Sequence, residues 1–221
     1  MGDDVDKKEG FSTKCPSSTG TCLVVGISGP SGCGKTSLVS QLGKSKRLRR
    51  KFTNISVFAE DPKFFRAPSS ESYQDRDPRS ETPSHVNWDT YLESLQEFII
   101  ESTSESSVVL VEHFLLLHDP RVVKLVDVLI FLDPNMGGNA VDATEVCLRR
   151  RIQRNPNRSK SEIKHLSLYY RDHVWPSYLK YTYRSASAFV ENHPDRSVRL
   201  DCTSSSDFVL SQAEEFILQL S

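Results

Sequence analysis

The chain has almost no net charge. Its 28 lysines and arginines are offset by 29 aspartates and glutamates, leaving −1 with histidine neutral. No overall field therefore draws nucleic acid or an anionic membrane to it, and neither is expected as a partner. It also lacks any apolar run approaching the roughly 20 residues that a membrane-spanning helix needs. The acidic first residues do not have the basic-then-apolar pattern of a secretory leader. The five cysteines (Cys15, Cys22, Cys33, Cys147 and Cys202) are odd in number and show no C-x-x-C spacing. They read as free thiols in a reducing compartment, which makes the cytoplasm the expected location, with the nucleus as the other choice. Residues 1–20 are polar and rich in Ser, Gly and Asp, and are expected to be a disordered tail. The remaining 21–221 are enough for one domain with a small lid.

Against these absences one stretch stands out: Gly29-Pro-Ser-Gly-Cys-Gly-Lys35-Thr36 fits G-x-x-x-x-G-K-[ST] at every constrained position. Glycine lets the backbone wrap around a phosphate, and successive N–H groups then form a nest for its oxygens. The expected triphosphate contacts are Gly29, Pro30, Ser31, Gly32, Cys33, Gly34, Lys35, Thr36 and Ser37, with the Thr36 hydroxyl on Mg²⁺. The context is the one this loop requires. Thr21 to Ser28 is an apolar, β-branched run that reads as a buried strand. Leu38, Val39 and Leu42 follow at helical spacing, with Gly43 as a C′ stop.

Further strands are predicted at Asn54–Ala59, Ser107–Glu112, Val126–Asp133 and Ser197–Asp201. Helices are predicted from Asn87, over Thr144–Ile152, over Ser161–Glu191 with an interruption at Pro176, and over Asp207–Leu220. Residues 66–86, with three prolines and many polar side chains, read as a long mobile loop. The basic run Lys44–Lys51 reads as a solvated helix end, with a nucleic-acid or targeting role as the other reading. The alternation predicts an α/β, three-layer P-loop nucleoside triphosphate hydrolase fold: a mainly parallel five-stranded sheet with a small arginine-bearing lid at about 154–165.

Asp61 and Glu112 fall where strands end, on the side of the phosphate loop, so they are candidates to activate an acceptor hydroxyl and to hold Mg²⁺. Asp133, followed by Pro134, is a weaker candidate for the same edge. Arg149, Arg150, Arg151 and Arg154 cluster on one helix end. Arg150 and Arg154 are four apart and share a face, suited to negative charge on a transferring phosphoryl group, while Arg151 faces elsewhere. No Asn-Lys-x-Asp segment of the kind that reads guanine is present, which moves the weight from switch GTPase to kinase.

Taken in order, Ser28–Thr36, Glu60-Asp61, Asn87-Trp-Asp89, Val109–Leu116, Cys147–Arg151 and His173-Val-Trp-Pro-Ser-Tyr-Leu-Lys-Tyr181 resemble the nicotinamide riboside kinases, within the wider uridine kinase-like group, over about residues 21–205. The resemblance implies ATP- and Mg²⁺-dependent phosphorylation of the 5′-hydroxyl of nicotinamide riboside, with nicotinic acid riboside as a second substrate, in NAD biosynthesis. It implies Asp61 as the base with Lys35 as the other catalytic residue, and Thr36, Asp61 and Glu112 around the metal. Asp89 and Arg151 would hold the ribose, Arg150 and Arg154 the nucleotide, and Ser204, Ser205 and Ser206 would lie near adenine. Trp88 or Phe64 is suited to stack on a cationic ring, and Trp88 is equally suited to plain core packing. Pro62, His113 and Pro156 differ from the family's pattern. The acceptor alternatives are uridine, cytidine or another small alcohol. The alternative of another class is a catalytically weak nucleotide-binding regulator. The expected assembly is a monomer or weak homo-oligomer.

Overall fold

The structure is a computed structural model that describes residues 21–58, 64–66, 72–136 and 142–220. Five strands form one sheet: β1 (Thr21–Ser28), β2 (Asn54–Phe58), β3 (Ser106–Glu112), β4 (Val128–Asp133) and β5 (Ser197–Asp201). Their order is β2-β3-β1-β4-β5 and every pairing is parallel, so the expected mainly parallel sheet is wholly so.

Side chains alternate across the central strands and are apolar on both faces. On one face Val25, Ile27, Val108, Leu110, Val128, Ile130 and Leu132 meet α1 (Lys35–Gly43), α4 (Ala143–Gln153) and α8 (Ser206–Gln219). On the other, Val24, Val109, Val111, Leu129 and Phe131 meet α2 (Trp88–Ser102) and α7 (Arg184–Asn192). Burial on both faces is what makes these strands continuous apolar runs rather than alternating ones. The α2 stripe of Trp88, Tyr91, Leu92, Leu95, Phe98 and Ile99 joins the second face as its spacing predicts. The remaining helices are the short α3 (Pro120–Val123), α5 (Lys160–Tyr169) and α6 (Trp175–Ser177).

Four expectations are corrected. Gly43 closes α1 from inside, with a right-handed Lys44 as C-cap, instead of standing beyond it in a left-handed turn. Asn87 occupies the N-cap of α2 but makes no cap bond; its Nδ2 donates to Thr90 Oγ1 at 2.7 Å. Pro176 does not interrupt the long helix. The chain winds as a π-helix over Tyr170–Val174 and again over Tyr178–Tyr183, with Pro176 in the short α6 between them. A wider i→i+5 turn absorbs a residue that lacks an N–H and crowds the preceding turn. Within the stretch read as a long mobile loop, the described residues 72–86 carry two short 3₁₀ turns, Pro78–Glu81 and Pro83–His85, the first capped by Asp77.

The basic run is absorbed by structure. Arg49 donates to the Gly43 carbonyl at the end of α1 (2.7 Å), and Lys51 donates to the Leu218 carbonyl at the end of α8 (2.8 Å). Arg47 pairs with the buried Glu214 at 3.1 Å, which also accepts from Ser45. Cations at carbonyl-rich helix ends are favourable for the reason given by the helix dipole. Among the described residues, no helix is long and apolar enough to cross a membrane.

Candidate active site

The loop between β1 and α1 sits at the C-terminal end of the central strand. Gly34 is left-handed, with φ 103°. Gly32, with φ 90°, is demanding for a second reason: a Cβ there would run into the Cys147 carbonyl oxygen of α4. The loop is thus wedged against α4, the helix that carries the arginines. Lys35 reaches back along the loop and donates from Nζ to the carbonyls of Gly29 (2.9 Å) and Pro30 (3.0 Å). Thr36 and Ser37 are exposed at the start of α1.

A cleft of about 420 Å³ opens beside the loop. It is lined by Gly32, Cys33, Gly34, Ser37, Arg150, Arg154, Ser204 and Ser206, all expected from the sequence, and also by Gln41 and Gln153, which the sequence did not flag. Arg150 donates to the Cys202 carbonyl at 2.7 Å, which fixes it at the cleft wall. Partial desolvation, with the neighbouring Arg151 cation, lowers the Arg154 pKa; Glu112 and Cys33 lie within its electrostatic reach. Ser206 Oγ exchanges hydrogen bonds with the Gln41 amide at 3.1 and 3.2 Å. Ser205 is taken up by structure instead: its Oγ accepts from Phe208 N as the N-cap of α8.

Three buried thiols, Cys33, Cys147 and Cys202, gather here, the first and last of them in the cleft wall. Burial raises the Cys33 pKa well above its usual value, and the hydrogen bond to Cys147 does the most to push Cys202 up to about 12. Both remain protonated at neutral pH, so neither is a nucleophile there.

At the end of β3, Glu112 Oε2 is buried and has no hydrogen-bond partner among the described residues. A carboxylate oxygen is an acceptor only, so this one fits a cation or the water of a cation. Among the described residues, no group of three or more His, Cys, Asp or Glu could by itself hold a metal ion. Asp61, the expected base and third metal neighbour, lies outside the described residues, as do Glu60 and Pro62. Asp133 is occupied otherwise: its Oδ1 accepts from Asn135 N at 2.9 Å and its Oδ2 is 3.6 Å from Arg199.

On the acceptor side the candidates separate. Asp89 is exposed in the first turn of α2 and accepts from Arg121 at 2.7 Å; Arg121 also grips Asp119 at 2.8 Å. Arg151 turns away from the cleft and donates to the Tyr73 hydroxyl at 3.2 Å. Phe64 is only 2 % exposed, its ring stacked on Phe58 and edge-on to Tyr91, so it is a core residue. Trp88 is half-buried, with its indole N–H donated to the Pro83 carbonyl at 3.0 Å and its ring 5.7 Å from that of the exposed His118. His113 is fully buried, and burial together with the nearby Lys35 cation lowers its pKa to about 3, so its imidazole is neutral. Arg121 and Tyr73 were not legible beforehand. Each acts through a partner at least 32 residues away in sequence.

No family model matches the chain. It is similar to a uridine kinase of Schizosaccharomyces pombe, 26% identical over 186 residues, covering 74% of this chain and 38% of that protein. It is also similar to uridine kinases of Vibrio atlanticus (25% over 184 residues) and Vibrio parahaemolyticus (24% over 184 residues), each match covering 72% of this chain and 81% of the relative. The chain thus spans well under half the length of the yeast relative and most of the bacterial ones.

Proposed function

We propose that the chain is an ATP- and Mg²⁺-dependent nucleoside kinase. The observation that carries this is the meeting of three features at one sheet edge: the glycine loop with Lys35, the cleft walled by Arg150 and Arg154, and the carboxylate oxygen of Glu112, unpartnered among the described residues and within electrostatic reach of Arg154. Similarity to uridine kinases supports the same reaction class. In this reading the loop amides and Lys35 bind the triphosphate and the two arginines face its developing charge. Thr36 and Glu112 would hold Mg²⁺, which when bound neutralises phosphate charge. Asp61 accepts the proton of the 5′-hydroxyl, and Asp89, steadied by Arg121, accepts from the ribose hydroxyls.

For the acceptor we favour nicotinamide riboside, with nicotinic acid riboside beside it, which would place the reaction in NAD biosynthesis. The support is the Asn87-Trp-Asp89 helix start and the His173–Tyr181 stretch. The second reading, uridine or cytidine, is favoured by the relatives. A panel of these four nucleosides with ATP and Mg²⁺, followed by ADP release and chromatography of the mononucleotide, decides between them. The expected result is a kcat/KM for nicotinamide riboside at least tenfold above that for uridine. The reverse ratio establishes the pyrimidine reading. Nucleotide binding without acceptor-dependent ADP release removes the kinase reading and leaves a nucleotide-binding regulator.

A further inference from the structure

Two adjacent tyrosines at the junction of α5 with the first π-helical turn hold two different segments of the chain. Tyr170, fully buried, donates its hydroxyl to the Ser31 carbonyl of the phosphate loop at 2.6 Å. Tyr169 donates instead toward Glu81 Oε1 (3.2 Å) and the Asp77 carbonyl (3.3 Å). Its ring lies 5.7 Å from that of Tyr73, whose hydroxyl accepts from Arg151. Neighbouring helical positions diverge by about 100° around the axis, so one helix end can reach the phosphate loop with one residue and the 72–86 segment with the next. π-helical turns recur at functional sites.

The Ser31 contact has a particular effect. A trans peptide unit holds its C=O and the following N–H on opposite sides. A carbonyl of Ser31 fixed toward Tyr170 therefore turns the Gly32 N–H the other way, and Gly32 is a cleft-lining residue. An inward N–H is what a phosphate nest needs.

We propose that Tyr170 is a positioning residue that aims the Gly32 amide at the nucleotide, while Tyr169 fixes the segment that carries Tyr73 and thereby Arg151. The second half rests on the nucleoside-kinase reading; the first rests only on nucleotide binding. The test is a pair of Tyr→Phe variants, each losing one hydroxyl from neighbouring positions, with melting temperatures measured on both. Titration with a non-hydrolysable ATP analogue and Mg²⁺ should show about tenfold weaker binding for Tyr170→Phe, as expected for one lost hydrogen bond that orients a ligand donor, and less than twofold change for Tyr169→Phe. Steady-state kinetics should show the opposite split, with KM for the acceptor raised in Tyr169→Phe. Equal losses of melting temperature with unequal loss of nucleotide affinity separate positioning from packing. Analogue binding by Tyr170→Phe within twofold of wild type, or weakened equally in both variants, overturns the proposal. If no acceptor is phosphorylated by the wild type, the kinase reading falls while the analogue titration still decides the role of Tyr170.

Discussion

Gly32 and Gly34 share a left-handed backbone but differ in what surrounds them. Nothing lies within 4 Å of a Cβ built on Gly34, whereas one built on Gly32 meets the main chain of α4. Gly34→Ala should therefore cost only the backbone conformation, about 1–3 kcal/mol. Gly32→Ala should cost more, because the Cys147 carbonyl belongs to a helix that cannot yield locally. Urea unfolding of the two variants checks the order, and Gly32→Ala should also lose most of its nucleotide affinity. Asp119 offers a pH-dependent case. It caps α3 through Arg121 N at 2.8 Å, and its hydrogen bonds with the Arg121 side chain, more than any other influence, hold its carboxyl below the usual range. A folded pKa below the unfolded one gives stability that is present above the unfolded value and is lost as pH falls through the folded one. Asparagine caps about as well as aspartate, so Asp119→Asn should lose mainly the ion pair with the half-exposed Arg121, at most about 1 kcal/mol at pH 7. Its unfolding midpoint should converge on that of wild type as pH falls from about 4 through the lower folded pKa.

Helix α5 begins with a complete capping box: Ser159 Oγ accepts from Glu162 N at 3.2 Å while Glu162 accepts from Ser159 N at 2.8 Å. Because α5 ends in Tyr169 and leads into Tyr170, loosening its start should be felt at both. Ser159→Ala is expected to cost about 1 kcal/mol and to raise hydrogen exchange along 160–166 before any global unfolding. Elements like this were legible in the sequence to differing degrees. Central strands buried on both faces appear as uninterrupted apolar runs, so β1, β3 and β4 were found within two residues of their ends. The arginine face was legible because i, i+4 spacing fixes Arg150 and Arg154 together on the cleft. The π-helical turns were not, because their only local cue is Pro176, which equally signals a break. The folding of 72–86 onto α5 was not legible either. Its cues are Tyr73 and Tyr169, whose meeting depends on the tertiary fold.

At the scale of the molecule, the positive run at 44–51 ties the last helix to the exit of the first. Glu214 is 7 % exposed, and its two partners, Arg47 and Ser45, both come from that run. Arg47→Ala leaves a nearly buried carboxylate with one donor. With Arg47 itself half-exposed, the expected loss is about 1–2 kcal/mol, read by urea unfolding. Arg47→Gln, which keeps a donor, should recover part of it.

The place of β1 in the sheet also governs how the chain comes to be folded. The strand that carries the phosphate loop is made before the other four of its sheet, yet Thr21 pairs with Ser106 and Val25 with Val128. During synthesis β1 has neither neighbour until β3 and β4 have left the ribosome, and β5 can join only after the whole 160–192 helical stretch. Such pairings pay the loop-closure entropy first, so refolding should take milliseconds to seconds, not microseconds. The nucleotide site would then form in one of the last steps, since its loop, its arginine wall and its β5 edge come from strands and helices that meet only when the sheet closes.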